Sequence, residues 1–395
     1  MRSKGMQAAL LGAGIMLSQA PLALAQSTAA VEPAVDKTAK PATPATKPTP
    51  AKPVGDATHD AEAAPAAASS TAKPAAATVG AKPAAPETPA TPAMEAAGNQ
   101  PANDATLTSA VGAASKGPAT LRAQVLLDRA NFSPGEIDGA SGSNMVRAIR
   151  GYQSAQGLSV TGSVDAATWA ALNKDAAPVI ARYTTTADDV AGPFDAIPTD
   201  MMEKSKLSRL GYTSALEGLA EKFHAAPKLL QQLNPGASFT AAGEALSVPN
   251  VNGNAAIGAV DHVVVDRSDS TVSLVDASGK LLAQYPASTG SDHDPLPVGD
   301  WKIQGVAKDP SFNYNPDLFW DANPGHGKAK IPAGPNNPVG VVWIDLSKEH
   351  YGIHGTPEPS RIGKTQSHGC IRLTNWSARL VAAQVKPGMT AKLQE

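Results

Sequence analysis

The sequence predicts a multidomain protein: a mostly β C-terminal domain, preceded by a small three-helix module, a second small helical module ending in a strand, and a disordered Pro/Ala-rich linker. Three observations carry this reading. Ala, Pro, Thr and Lys dominate up to about residue 118, and the first aromatic residue of the chain is Phe132. Apolar spacing is then helical over two short stretches. From Asp261 onward it changes to short β-branched runs separated by turn residues.

Residues 1–25 place Arg2 and Lys4 ahead of an apolar run that ends in Ala23-Leu24-Ala25, the layout of a secretory signal peptide with a small-x-small cleavage site. A membrane anchor needs roughly 20 apolar residues, and Ser18, Gln19 and Pro21 interrupt this run. The expectation is an exported protein of the periplasm or cell wall, with no membrane span in its mature form. Residues 26–118, with stretches such as PATPATKPTPAKP, have too little to bury to offset their ordering entropy. They read as a disordered tether, whose ~90 residues reach at most about 280 Å at about 3.1 Å per residue.

Between residues 119 and 175, Met145, Ile149 and Tyr152 share one helix face, with Ser143 as its expected cap and Gly157 as its end. Asp165 is placed to cap a third helix, with Val164 and Trp169 as a hydrophobic staple. The pattern Ile137-Asp138-Gly139, Ala148-Ile149, Tyr152-Gln153, Gly157-Leu158, Thr161-Gly162 and Thr168-Trp169 resembles the peptidoglycan-binding domain 1 family. The same pattern also suits an inert helical spacer.

Over residues 207–250, Leu216, Leu219, Ala220 and Phe223 line one short helix, Pro227 opens a second, and Asn234-Pro235-Gly236 ends it. A strand, Ala245 to Val248, follows. This stretch resembles a degenerate lysin motif, a glycan-binding βααβ unit, although Thr213-Ser214-Ala215 stands where that family has Gly-Asp-Thr.

In residues 258–394, HVVVDR, TVSLVD and KLLAQYPAS alternate with turns at Arg267–Ser270 and Ala277–Gly279, and VGDWKIQGVA and VGVVWIDLS add two more strands. A sandwich or open barrel is expected, and the length suffices for one core. The long loop 307–338 carries Phe312, Tyr314, Phe319 and Trp320 and is a candidate lid; its His326, in a Pro/Gly-rich stretch, is the one further histidine expected to border a site.

Charge excludes some partners. With 33 basic and 35 acidic residues and no basic cluster, the chain carries no field suited to nucleic acid or anionic lipid. Oligomeric state is not legible.

The chain has one cysteine, Cys370. In an oxidising compartment a lone thiol forms no internal disulfide. A buried, inert Cys370 is the bland reading. An unperturbed thiol is mostly un-ionised at neutral pH, so a nucleophile needs an imidazole or other positive surroundings. His354 closes the apolar run Tyr351-Gly352-Ile353 at a strand end, and the loop 355–367 can return the chain beside it. His368 stands two residues before Cys370 and would project to the same side of an extended chain. Gly369 leaves backbone amides open to an oxyanion.

Ile353-His354-Gly355-Thr356 followed by Ser367-His368-Gly369-Cys370-Ile371-Arg372-Leu373 resembles the L,D-transpeptidase catalytic domain. Thr289-Gly290 with Leu296-Pro297-Val298-Gly299, and Asn337-Pro338-Val339-Gly340, resemble its supporting segments, with Leu296 where Thr is usual. The resemblance implies Cys370 as acyl-accepting nucleophile, His354 as proton acceptor and donor, and Ser367, His368 and Gly369 as residues shaping the site. It implies substrate contacts from Arg372, Gly355 and Tyr351, with a bracing role for Arg372 equally open. Peptidoglycan stem peptides and glycan become the expected partners, the terminal D-alanine of a tetrapeptide stem leaves, and no cofactor is required. The acceptor is a stem amine giving 3→3 cross-links, a D-amino acid, an envelope protein or water. A zinc site of His354, His368 and Cys370 lacks a fourth ligand in recognised spacing. The same residues would also serve a cysteine hydrolase, and a wall-binding protein without activity is the third possibility.

Overall fold

The computed structural model describes residues 94–98 and 100–395; the expected signal peptide and most of the tether lie outside them. Order begins earlier than the composition suggests. Ala97, Ala102 and Val111 are buried, Ala97 N–H donates to the Ile180 carbonyl at 3.1 Å, and Val111 and Val164 form a bridge, so the last stretch of the expected tether is packed. A few small apolar residues are enough here because a preformed surface receives them.

Helices α1 (Pro118–Arg129), α2 (Ser143–Ala155) and α3 (Ala166–Leu172) follow. Ser143 is not the cap of α2: Gly142 already holds extended backbone, its carbonyl accepts from Val146 N–H at 3.1 Å, and the helix begins at Ser143 itself. The end of α2 is as expected. Gly157 adopts φ +66°, and the Leu158 and Gly157 amides close on Gln153 and Ser154 at 2.8 and 3.1 Å, the paired bonds of a Schellman turn. Asp165 caps α3 through the Thr168 amide, and Val164 and Trp169 are both buried.

Strand β1 (Ile180–Thr184), the short α4 (Met201–Lys204), α5 (Ala215–Lys222), α6 (Pro227–Leu233) and β2 (Ala245–Pro249) form the next unit. β1 pairs antiparallel with β2, so the strand completing this unit lies before residue 207, beyond an insertion that carries α4. Its side chains and those of α1–α3 share one hydrophobic core, including Leu126, Ile149, Trp169, Ile180, Leu219, Leu230 and Leu246.

The C-terminal sheet comprises β3 (His262–Asp266), β4 (Thr271–Val275), β5 (Leu281–Pro286), β6 (Gly299–Lys308), β9 (Val342–Leu346), β10 (Gly352–His354), β11 (Ile371–Arg372) and β12 (Thr390–Gln394). Between β6 and β9, the expected lid loop contains its own two-stranded hairpin, β7 (Phe312–Tyr314) and β8 (Ala329–Ile331). The main sheet is eight-stranded, in the order β11-β10-β9-β6-β12-β3-β4-β5. Val263, Val272, Ile344, Ile353 and Ile371 fill its core together with Val381 of α7 (Asn375–Gln384), a helix not expected from the sequence.

One sheet, not two packed sheets, makes this domain, and it curls far enough for its ends to meet. Just past β5, Ser288 and Arg372 of β11 exchange both backbone bonds at 2.9 Å. The rest of the β5 edge is covered by the three-helix unit: Ser133 N–H donates to the Gln284 carbonyl, and Gln284 N–H to that of Asn131, each at 2.9 Å. Both devices satisfy groups that an open edge would expose.

Candidate active site

Cys370 sits at this closing seam. Parallel pairing sets Ile353 against Ile371 and His354 against Arg372, which returns the chain beside His354 and brings Cys370 alongside Gly352. The thiol donates to the His350 carbonyl, with Sγ 3.6 Å from that oxygen. Gly352 and His354, two apart on one strand, face the same side.

His354 is buried, its ring stacked on Trp343 of β9 with centroids 5.5 Å apart. Its Nδ1 lies 2.7 Å from the Gly355 carbonyl. A carbonyl only accepts, so Nδ1 carries the proton and Nε2 of the neutral ring is left without one. Burial depresses the imidazole to about 4, with the Arg372 charge adding to the effect, while burial pushes the thiol up to about 11 against the pull of the Gly352 amide and Arg372. Both shifts favour the uncharged forms, thiol and imidazole. An un-ionised thiol and a neutral imidazole are the forms that general-base activation of a nucleophile starts from.

The turn before Cys370 is built tightly. Ser367 is buried, and its hydroxyl donates to the Cys370 carbonyl at 2.5 Å while its amide donates to Thr289 at 3.0 Å. Gly369 holds φ +93°, and a Cβ there would lie 2.7 Å from the Tyr351 ring, so this position tolerates only glycine. Tyr351 thus packs against the turn beside the thiol. Arg372 donates through Nη2 to the Gln366 carbonyl and braces the same turn, whereas its buried Nε has no partner among the described residues.

His368 stands apart from His354. It is exposed, bonded through Nε2 to Asp321 at 3.0 Å and packed against Phe319 and Trp320, with centroids 5.4 and 5.9 Å away. It therefore joins the Cys370 turn to the β7–β8 segment. His326 does not border the thiol. It links Tyr314, 3.1 Å away, to Asp200 at 2.8 Å, fastening that segment to the start of α4. No group of three or more His, Cys, Asp or Glu among the described residues is placed to hold a metal ion.

Asn375 is a site residue that the sequence alone does not single out. It is fully buried, its Oδ1 accepts from the Val341 amide at 3.2 Å, and a Cβ on Gly355 would overlap that oxygen. Gly355 is therefore needed for close packing beneath His354. The place of Asn375, three residues after the SHGC-I-R strand, was the available signal.

A curled sheet that presents one thiol and one buried, neutral imidazole along the same strand pair is the arrangement of a thiol-dependent acyl-transfer enzyme. Residues 260–393 match the family model of the L,D-transpeptidase catalytic domain, and residues 116–172 match that of a peptidoglycan-binding domain. The chain is 31% identical to L,D-transpeptidase YkuD of Bacillus licheniformis over 44% of its own length and 89% of that protein's. It is 30% identical to YkuD of Bacillus subtilis over the same shares. Among solved structures, an L,D-transpeptidase from Xylanimonas cellulosilytica is 15% identical, covering 71% of this chain and 96% of that one, with a TM-score of 0.32. The chain belongs to the L,D-transpeptidase family.

Proposed function

We propose that this enzyme acts outside the cytoplasm, accepts a peptidoglycan tetrapeptide stem on Cys370, and transfers it to the amine of a second stem to form a 3→3 cross-link. The observation that supports this is the β10–β11 register, which sets His354 against Arg372, two residues beyond Cys370. Sγ attacks the carbonyl that joins the third stem residue to D-alanine, and its proton passes to Nε2 of His354. The C–N bond breaks as His354 returns the proton to the leaving amine. The acceptor amine then attacks the thioester, its proton goes to His354, and the thiolate leaving Cys370 is reprotonated. The Cys370 amide, preceded by a side-chain-free residue, is suited to the oxyanion. Arg372 Nε is the candidate contact for a donor carboxylate.

The β7–β8 segment, bonded to His368, is proposed as the lid over the donor stem; removing it without loss of donor acylation would rule that out. The three-helix unit is proposed to hold the enzyme on the wall. Its core is continuous with that of the following unit, so binding is tested on the whole chain bearing Cys370→Ala, by co-sedimentation with purified peptidoglycan. Mass spectrometry of disaccharide-tetrapeptides incubated with the enzyme tests the reaction. A dimer with loss of D-alanine is expected; loss of D-alanine with no dimer would replace cross-linking by hydrolysis, and full turnover by Cys370→Ala would end the nucleophile assignment.

A further inference from the structure

Besides its stacking on Trp343, the catalytic imidazole makes one hydrogen bond among the described residues, to the Gly355 carbonyl, so what fixes the Gly355 turn fixes the direction of the base. Beneath that turn lies the Asn375 side chain, at the first position of α7. Three hydrogen bonds hold it: Oδ1 accepts from Val341, and Nδ2 donates to the Pro335 carbonyl at 3.2 Å and to Glu221 Oε2 at 2.7 Å. Glu221 does not belong to the catalytic domain. It sits on α5, and its other carboxyl oxygen accepts from Tyr212 Oη at 2.9 Å.

We propose that Glu221 is a positioning residue of the helical module, fixing the Asn375 amide and, through it, the Gly355 turn that orients His354. This rests on His354 being the base. The bond to Glu221 is the shorter of the two made by Nδ2 and the only one to an ionisable group, so it dominates the amide's orientation. The orientation matters because the amide is completely buried: a flipped or tilted Asn375 would strand the Val341 amide and push a donor toward the Gly355 backbone. The same surface is stitched on either side of Glu221. Asn336 Nδ2 donates to Glu217 Oε1 at 2.9 Å and to the Gly211 carbonyl at 2.8 Å, and Leu210 N–H donates to that of Ala333 at 2.9 Å. The module therefore docks in one register, with Glu221 delivered to Asn375.

Glu221→Met removes the acceptor at similar length, and Glu221→Gln keeps an acceptor for Asn375. A cavity of about 730 Å³ bordered by Tyr212, Glu221 and Trp376 gives either side chain room. The test is the rate of Cys370 acylation by a disaccharide-tetrapeptide in the full chain, followed by intact-protein mass spectrometry, with KM and kcat separated. Glu221→Met is expected to lower the acylation rate about ten-fold or more with KM unchanged, as a base displaced by a fraction of an ångström would. Glu221→Gln is expected to restore most of it. If Glu221→Met fails to fold, Tyr212→Phe, which frees the carboxylate without touching Asn375, is expected to give a smaller drop of the same kind. Wild-type rates in the variants, or an equal loss in Met and Gln variants, would overturn the proposal. An unaffected rate in His354→Ala would instead overturn the role of His354 itself.

Discussion

Lowering the pH from 7 to 5 should destabilise this enzyme through His354 in particular. The buried imidazole is held near 4, against an ordinary value of 6.5, so the unfolded chain takes up this proton first. The contribution is present above about 6.5 and is lost as pH falls toward about 4. Linkage over that shift gives a loss of about 2 kcal/mol between pH 7 and pH 5. With a urea dependence of about 3 kcal/mol per molar, the midpoint should move down by about 0.6 M from this group alone. His354→Gln keeps a polar side chain with no proton to gain. Urea titrations of both proteins at the two pH values cancel every other titrating group, and the wild-type midpoint should fall by the larger amount. Equal displacement of both midpoints would refute the claim that the imidazole is neutral because it is buried.

Three other outcomes follow from the same site. His354→Ala should cost about 10² or more in the acylation rate, whereas His368→Ala, which loses a contact to Asp321, should cost far less; the opposite ranking, read by the same mass assay, would exchange their roles. Iodoacetamide alkylation of Cys370 in the free enzyme should keep accelerating toward about pH 11, and a plateau near an ordinary thiol value would contradict the burial argument. Gly369→Ala should abolish acylation while leaving the far-ultraviolet circular dichroism unchanged, since a left-handed backbone costs about 1–3 kcal/mol and the added carbon meets Tyr351. Combining it with Tyr351→Ala should recover part of the fold stability measured by thermal melting.

The strands and the turn before Cys370 were legible because their signals are local. Period-two runs such as HVVVD and the His354…Cys370 segment need only neighbouring residues to be read. What escaped depends on distant partners. Strand β1 is half polar and becomes a strand because β2 pairs with it. Helix α7 begins with Asn375 and Trp376, residues of no strong helical preference, and is set by the Thr374 cap and the sheet beneath it. Two residues ahead of Cys370, His368 is as near to the thiol in sequence as any base. The pairing of β10 with β11 separates the two histidines, one inward against Trp343 and one outward against the hairpin. No spacing rule joins Glu221 to Asn375, whose positions are 154 apart in the chain.

The covered β5 edge bears on how such proteins are cut into fragments. Asn131 and Ser133 occupy the backbone of Gln284, so a catalytic domain expressed alone would carry a vacant strand position on its β5 edge. A second molecule offers the nearest strand to fill it. Self-association of the excised domain would then reflect the missing neighbour, and its oligomers would say nothing of how the intact enzyme assembles.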